Sequence, residues 1–264
     1  MMADSNLSTA PSPDFTLTRP RGLDSDAGTQ FFGRFEIKYL ISARLAGEIE
    51  KDVSQFMELD PFCRDRPSRD YLVRSLYYDS PTLSAYFQKL DGVANRSKYR
   101  LRAYGVGDDA PCFLEVKGRA NNFSYKHRTL LSRQLRMRLN AQDWSWVLRH
   151  ATDGDMPARF SMHALRRTLR PNVVIEYARR PYISARDYRF RVTFDRRIVA
   201  ARGTVLDAHA VRRHRVLPDQ AVLEIKFERT VPAWFQRLIG AYELQRLSIS
   251  KYCRAVELLG LLNF

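Results

Sequence analysis

The feature that most constrains this chain is a set of strand-length segments in which every second residue is charged and most of those charges are positive. From Asn95 to Tyr104, Arg96, Lys98, Arg100 and Arg102 alternate with Tyr99, Leu101 and Ala103. Residues two apart on a strand point to the same face, so the bases line one side and the apolar groups the other. The pattern recurs. Phe31 to Leu40 sets Arg34, Glu36 and Lys38 against Phe35, Ile37 and Tyr39. Cys112 to Lys117 sets Glu115 and Lys117 against Leu114 and Val116, and Asn122 to Leu131 aligns Lys126 with Arg128. Tyr188 to Asp195 sets Arg189, Arg191, Thr193 and Asp195 against Tyr188, Phe190, Val192 and Phe194. Ala221 to Glu228 sets Glu224, Lys226 and Glu228 against Leu223, Ile225 and Phe227. With Tyr71 to Asp79 and Pro171 to Arg180, about eight strands are expected.

Helices are expected between and after them. One enters through Ser42 as N-cap, with Leu45, Ile49, Val53 and Phe56 as its apolar stripe. Others are predicted over Leu135 to His150 and over Ala158 to Leu169, the latter stopped by Pro171. Two closing helices are predicted over Pro232 to Leu244 and Lys251 to Leu261. The fold class is therefore α+β.

An antiparallel sheet with one solvated face also alternates. Solvated faces usually mix Lys, Glu, Ser, Thr and Gln, whereas here Arg and Lys dominate one parity in strand after strand. Glu recurs two residues before Lys, at Glu36 and Lys38, Glu115 and Lys117, Glu224 and Lys226. The alternative is an eight-stranded antiparallel barrel with its charged face inward and its apolar face under outer helices; about eight strands can close around a small ligand. Two like charges 4 Å apart repel by roughly 4 kcal/mol at an effective dielectric of 20. A cation-lined interior therefore calls for a polyanion, with interleaved carboxylates and a metal offsetting part of the charge. The formal net charge of +15 also calls for an acidic partner.

Several classes are excluded. No run approaches 18 apolar residues, so no spanning helix is expected. Residues 1–30 lack the apolar run of a signal peptide and read as a disordered leader before a domain over 31–264. Cys63, Cys112 and Cys253 have no metal-ligand spacing and read as reduced thiols of a cytoplasmic protein. The aromatics lie mostly opposite the bases, unlike a nucleic-acid surface that interleaves the two, so no nucleic-acid partner is expected.

In their order, RFEIKY (34–39), SLYYDS (75–80), RSKYRLRAY (96–104), FLEVK (113–117), KHR (126–128), YARRPY (177–182), RVTFD (191–195), LEIK (223–226) and SISKY (248–252) resemble the VTC domain. This is the polyphosphate polymerase domain of the triphosphate tunnel (CYTH-like) superfamily, and the resemblance spans roughly residues 31 to 262. It implies an eight-stranded tunnel that transfers the γ-phosphate of ATP to inorganic polyphosphate with a divalent metal, Mn2+ or Mg2+. It implies phosphate ligands at Lys38, Arg100, Arg102, Lys117, Lys126, Arg179, Arg191 and Lys251, with Lys98, Arg128, Arg189 and Lys226 on matching faces, and a metal carboxylate at Glu224. Tunnel hydrolases and cyclases tend to open E-x-E-x-K. Here Arg34 stands at the first glutamate, a departure that favours gripping a long anion. The rival readings are an inorganic or nucleoside triphosphatase of the same fold and a non-catalytic polyphosphate binder. A membrane-protein partner at the tunnel mouth is compatible with the sequence, and the oligomeric state is open.

The residues also carry plainer readings. Arg100, Arg102, Lys117 and Arg191 fit solvated strand positions, and Glu224 fits an ion pair with a neighbouring base. Glu36 is either a second metal ligand or an ion-pair partner, and Asp195 either faces inward or ends a strand at a turn. Alternation puts Glu176 on the face opposite Arg179. Lys251 opens a helix, where a cation meets the unfavourable end of the dipole. His127 reads as structural, Tyr77, Tyr78, Trp234 and Tyr252 as packing residues, and Arg133, Arg136 and Arg138 as outer basic surface.

Overall fold

A computed structural model of the chain describes residues 35–107, 109–120, 123–151, 155–184, 187, 189–206 and 212–262. The expected leader over 1–30 and the position of Arg34 lie outside the described residues. The strands are β1 (Phe35–Ser42), β2 (Glu58–Leu59), β3 (Tyr71–Asp79), β4 (Arg96–Tyr104), β5 (Cys112–Ala120), β6 (Phe123–Leu130), β7 (Arg170–Ile183), β8 (Arg191–Arg202), β9 (His214–Arg215) and β10 (Gln220–Phe227). The helices are α1 (Ala43–Phe56), α2 (Pro61–Arg64), α3 (Ser84–Leu90), α4 (Arg133–Asn140), α5 (Trp144–His150), α6 (Met156–Arg166), α7 (Ala233–Ala241) and α8 (Lys251–Leu258).

Eight strands form one antiparallel path in the order β1-β10-β8-β7-β3-β4-β5-β6, with β2 on β7 and β9 on β8 as short additions. The mixed α+β class and the eight-strand count match the sequence reading. The closed barrel does not appear as such: no backbone pairing joins β1 to β6 among the described residues. The sheet is nevertheless curled. Glu36 on β1 and Lys117 on β5 lie six strand spacings apart along the path, about 29 Å in a flat sheet. Their side chains meet at 3.0 Å, which only a sheet rolled around its charged face allows.

Apolar residues of the other parity face outward under two groups of helices. Ile49 and Val53 of α1 and Phe235 of α7 pack on Tyr39, Val192, Phe194, Leu223 and Ile225. Ser42 caps α1 by accepting from the Leu45 amide, as expected. Leu139, Val147, Phe160 and Ala164 of α4 to α6 pack on Leu76, Tyr99, Leu101 and Leu114. Where one helix was expected over 135–150 there are two, because Gln142 adopts a left-handed conformation (φ 57°) that ends the first, and Asp143 caps the second by accepting from Trp146.

The third apolar cluster corrects the expectation that all helices sit outside. Tyr252, Cys253, Ala255 and Val256 of α8 pack on Val73, Val173, Ile175, Tyr177 and Val222, whose side chains share the parity of the charged face. One end of the rolled interior is thus plugged by α8. Asp79 anchors this plug: its Oδ2 accepts from the Tyr252 hydroxyl at 2.7 Å, and its Oδ1 accepts from the Ala85 amide at the start of α3. No helix among the described residues is long and apolar enough to cross a membrane. The three cysteines are buried free thiols.

Candidate functional site

Strand register decides which charges meet. β1 and β10 pair Glu36 with Lys226 and Lys38 with Glu224; β10 and β8 pair Glu224 with Thr193 and Lys226 with Arg191. β8 and β7 pair Asp195 with Arg179, and β3 and β4 pair Ser75 with Arg102 and Tyr77 with Arg100. β4, β5 and β6 pair Arg100 with Glu115, Lys98 with Lys117, Glu115 with Arg128 and Lys117 with Lys126. Cross-strand partners lie on one face, so these residues form one continuous charged surface above the α8 plug.

Four carboxylates organise it. Glu115 is fully buried, its Oε2 2.6 Å from Arg100 Nη2 and 3.6 Å from Arg102 Nη1, its Oε1 2.9 Å from Lys126 and 3.6 Å from Arg128. Asp195, also fully buried, takes a two-pronged bond from Arg179 at 2.6 and 2.7 Å and a bond from Lys251 at 2.6 Å. Glu224 lies 2.5 Å from Lys226 and 3.6 Å from Lys38. Glu36 lies 2.8 Å from Lys38 and 3.0 Å from Lys117. Burial alone raises a carboxyl pKa, yet the surrounding cations hold all four below the usual range. Burial likewise lowers the pKa of Lys38, but Glu224 and Glu36 outweigh it and carry the ammonium above its ordinary value. Lys117 and Lys126 keep solvent contact, yet hydration lost inside the rolled sheet outweighs Glu36 and Glu115, lowering both and bringing Lys126 to about 8.

Buried pairs hold guanidinium groups in place while leaving donors over. Arg100 bonds Glu115 through Nε and Nη2 and donates through Nη1 to the Tyr77 hydroxyl at 3.0 Å. Burial raises the phenol of Tyr77, but Arg100 and Arg102 outweigh it and bring it down to about 8. Arg102 donates to Ser75 at 3.1 Å. Each guanidinium has five N–H donors, so these Arg side chains are oriented without being saturated. Named bases on this face clearly outnumber its four carboxylates, and the excess positive charge is a standing field for an anion.

The sequence-derived residues fall as follows. Lys38, Arg100, Arg102, Lys117, Lys126, Arg128, Arg179, Lys226, Lys251, Glu36 and Glu224 come together on the inner face. Lys98 lies there too but turns to the plug, bonding Ser250 at 3.2 Å and lying 5.2 Å from the Tyr252 ring centre. The helix-opening Lys251 is offset by Asp195 and by the Tyr177 ring 4.8 Å away. Arg191 begins β8 at an exposed position opposite Lys226. Arg189 is not on the strand as expected; it lies in the preceding turn, its amide and Nε both bonded to Asp187 Oδ1 at 3.0 Å. Asp195 faces inward and is no turn residue. Glu176 lies outside the site, paired with Arg74 at 2.9 Å. Arg136 is buried rather than superficial, donating to the Gly107 and Ala110 carbonyls. Glu115 and Tyr77 were not among the expected ligands: the sequence marked Glu115 only by its E-x-K spacing and Tyr77 only as a packing residue, although Tyr77 has the inward parity of β3.

A divalent cation fits the β1–β10 corner. Glu36 and Glu224 flank Lys38 there, and Thr193 Oγ1, across from Glu224, is buried with no hydrogen-bond partner among the described residues. Three grouped protein ligands of the His, Cys, Asp or Glu type are absent among the described residues. Mg2+-like ions do not require them, since they take one or two carboxylates, keep waters and complete their shell with phosphate.

A family model described as the VTC domain matches residues 33–260. No curated protein matches the chain. Among solved structures, a candidate adenylate cyclase from Bacillus halodurans is similar at a TM-score of 0.49 and 16% identity, covering 83% of this chain and 95% of that one. The PH1819 protein from Pyrococcus horikoshii gives 0.43 and 13% over 84% and 99% of the two chains. The triphosphatase of the Mimivirus capping enzyme gives 0.32 and 8% over 79% and 89%.

Proposed function

The chain belongs to the VTC domain family, and from that premise we propose that it is a metal-dependent polyphosphate polymerase, transferring the γ-phosphate of ATP to a growing inorganic polyphosphate chain inside the rolled sheet. The observation that carries this reading is the convergence of Lys38, Arg100, Arg102, Lys126 and Arg179 from four different strands on one interior, each beside a buried carboxylate. Phosphoryl transfer asks a protein for alignment and charge stabilisation more than for covalent chemistry, and this surface supplies both. A phosphate chain is a linear anion, and only a row of cations along several strands matches its length.

In this mechanism Arg100, Arg102 and Arg179, fixed by Glu115 and Asp195, grip phosphate oxygens through their remaining N–H donors. Lys38, Lys117, Lys126 and Lys251 supply more mobile charge along the chain, with Lys98, Arg128, Arg191 and Lys226 as further contacts. An oxygen at the end of the polyphosphate chain attacks the γ-phosphorus of ATP; the bond to the β–γ bridging oxygen breaks and ADP leaves with that electron pair. A polyphosphate end is ionised near neutral pH, so no general base is needed. Glu224 and Glu36 would hold Mn2+ or Mg2+, which when bound supplies positive charge to the oxygens of the transferring and leaving phosphates.

Incubation with ATP and Mn2+, with and without a short polyphosphate primer, tests the reading. Acid-labile polymer together with ADP supports it; free phosphate alone identifies a triphosphatase using water as acceptor, and unchanged ATP a binding module. Folded variants with Arg100→Ala and Arg102→Ala should lose polymer formation.

A further inference from the structure

A second cation-rich cavity lies on the other face of the sheet. It measures about 660 Å³ and opens between the outer side of β4–β6 and helix α6. That volume is in the range of small-molecule sites. Its wall carries Arg159 and His163, four residues apart and so on one side of α6, followed by Arg167 at the helix C-cap. His127 faces them from β6. Its floor is aromatic. Tyr125 reaches across β5 to share a hydrogen bond of 2.6 Å with Ser97, and its ring lies where a Cβ on residue 118 would stand, so the glycine there makes room for it. The His127 ring lies 5.6 Å from that of Tyr125, and Tyr99 is held by His163 at 3.2 Å.

The contrast with the interior gives the cavity its meaning. Inside the sheet the bases are interleaved with Glu36, Glu115, Asp195 and Glu224. Among the described residues lining the outer cavity there is no carboxylate at all. On the α6 side, Arg159 and Arg167 face the strands with no carboxylate among the described lining residues to bring offsetting negative charge. Phosphate oxygens would supply that charge, and arginine is the side chain best shaped to grip them. A bare phosphate chain would have no use for the aromatic floor. A nucleobase would, because its flat face stacks on Tyr or His rings irrespective of sequence.

We propose that this outer cavity is a second ligand site that takes a nucleotide, with the phosphates between Arg159 and Arg167 and the base on Tyr125 and His127. The site is separated from the interior by the sheet itself, so it binds independently of the reaction proposed there. Nucleotide bound at this place would also tie α6 to β6.

Photolabelling of the full chain with 8-azido-ADP, followed by peptide mapping, tests the proposal. Label is expected on peptides containing Tyr125 and His127 or residues 156–167, in addition to any label on interior strands. Arg159 and Arg167 are exposed, so the Arg159→Ala, Arg167→Ala variant should fold, with circular dichroism as the check. It should lose outer-face label by tenfold or more while interior label is unchanged, and Tyr125→Leu should weaken it too. No label on those peptides, label undiminished in the arginine variant, or displacement by inorganic tripolyphosphate as effective as by ADP would each overturn it. Because the readout is the labelled peptide, failure here is distinct from failure of the polymerase reading.

Discussion

Glu36 and Lys117 join the first strand of the sheet to the seventh through a 3.0 Å ion pair, closing by side chains a roll that no backbone pairing closes among the described residues. Lys117 remains 45% exposed, and an ion pair that wet contributes little to stability, on the order of 1 kcal/mol or less. Its value lies in what else the ammonium can hold. Lys117→Ala should therefore leave the melting temperature almost unchanged while weakening binding of inorganic tripolyphosphate about tenfold, the loss of one charge-assisted bond. Calorimetric titration and a thermal melt on the same samples check both halves.

Glu115 is the opposite case. It is fully buried and lies within 3.6 Å of nitrogens of Arg100, Arg102, Lys126 and Arg128. Removing one partner of a buried pair leaves uncompensated charge and costs about 3–5 kcal/mol. Glu115→Gln should lower the unfolding free energy by that order, and added tripolyphosphate should restore more stability to the variant than to the parent, since the anion replaces the missing charge. Equal stabilisation of both by the anion would show that Glu115 does not organise an anion site.

These two carboxylates also show where the sequence spoke and where it did not. Period-two alternation assigned Lys38, Arg100, Lys117 and Glu224 to charged strand faces because a strand has only two faces, the family resemblance added Arg179, and the structure puts them together. Alternation says nothing about curvature or register, so it could not reveal that Glu115 sits among four cations while Glu36 bridges the first and seventh strands of the path. Nor could it place α8. The stripe of Tyr252, Cys253, Ala255 and Val256 reads as an ordinary buried face, and only the Asp79–Tyr252 bond and the packing on Val173 and Ile175 reveal that the face buried is the inner one. The break at Gln142 was hidden because a left-handed residue other than glycine leaves little trace in composition.

Two groups of the interior titrate near pH 8. Lost hydration lowers Lys126 to about 8 despite Glu115, and Arg100 and Arg102 bring the buried Tyr77 down to about 8. As pH rises through that value Lys126 loses a positive charge and Tyr77 gains a negative one, so both changes make the interior less attractive to an anion. Tripolyphosphate should bind several-fold more weakly at pH 9 than at pH 7. Lys126→Arg and Tyr77→Phe, which cannot make these changes, should each flatten the profile relative to the parent. A profile identical in all three proteins would refute the assignment, and the comparison removes any titration of the ligand itself.

The β1–β10 corner offers the last prediction. Glu224 and Glu36 each contact Lys38, and the unpartnered Thr193 hydroxyl lies across from Glu224. If these oxygens hold a divalent ion with the substrate, Mn2+ should tighten ATP binding to the parent protein, because two carboxylates alone hold such an ion weakly and the phosphates complete its shell. Glu224→Gln keeps the shape but takes away one negative charge. The variant should bind ATP in the absence of metal at least as well as the parent, since Lys38 and Lys226 are then freed for phosphate, yet gain little when Mn2+ is added. Calorimetric titrations of ATP with and without Mn2+ separate these effects: an undiminished gain from Mn2+ in the variant would place the ion elsewhere, and weaker metal-free binding would mean that Glu224 serves instead to position the lysines.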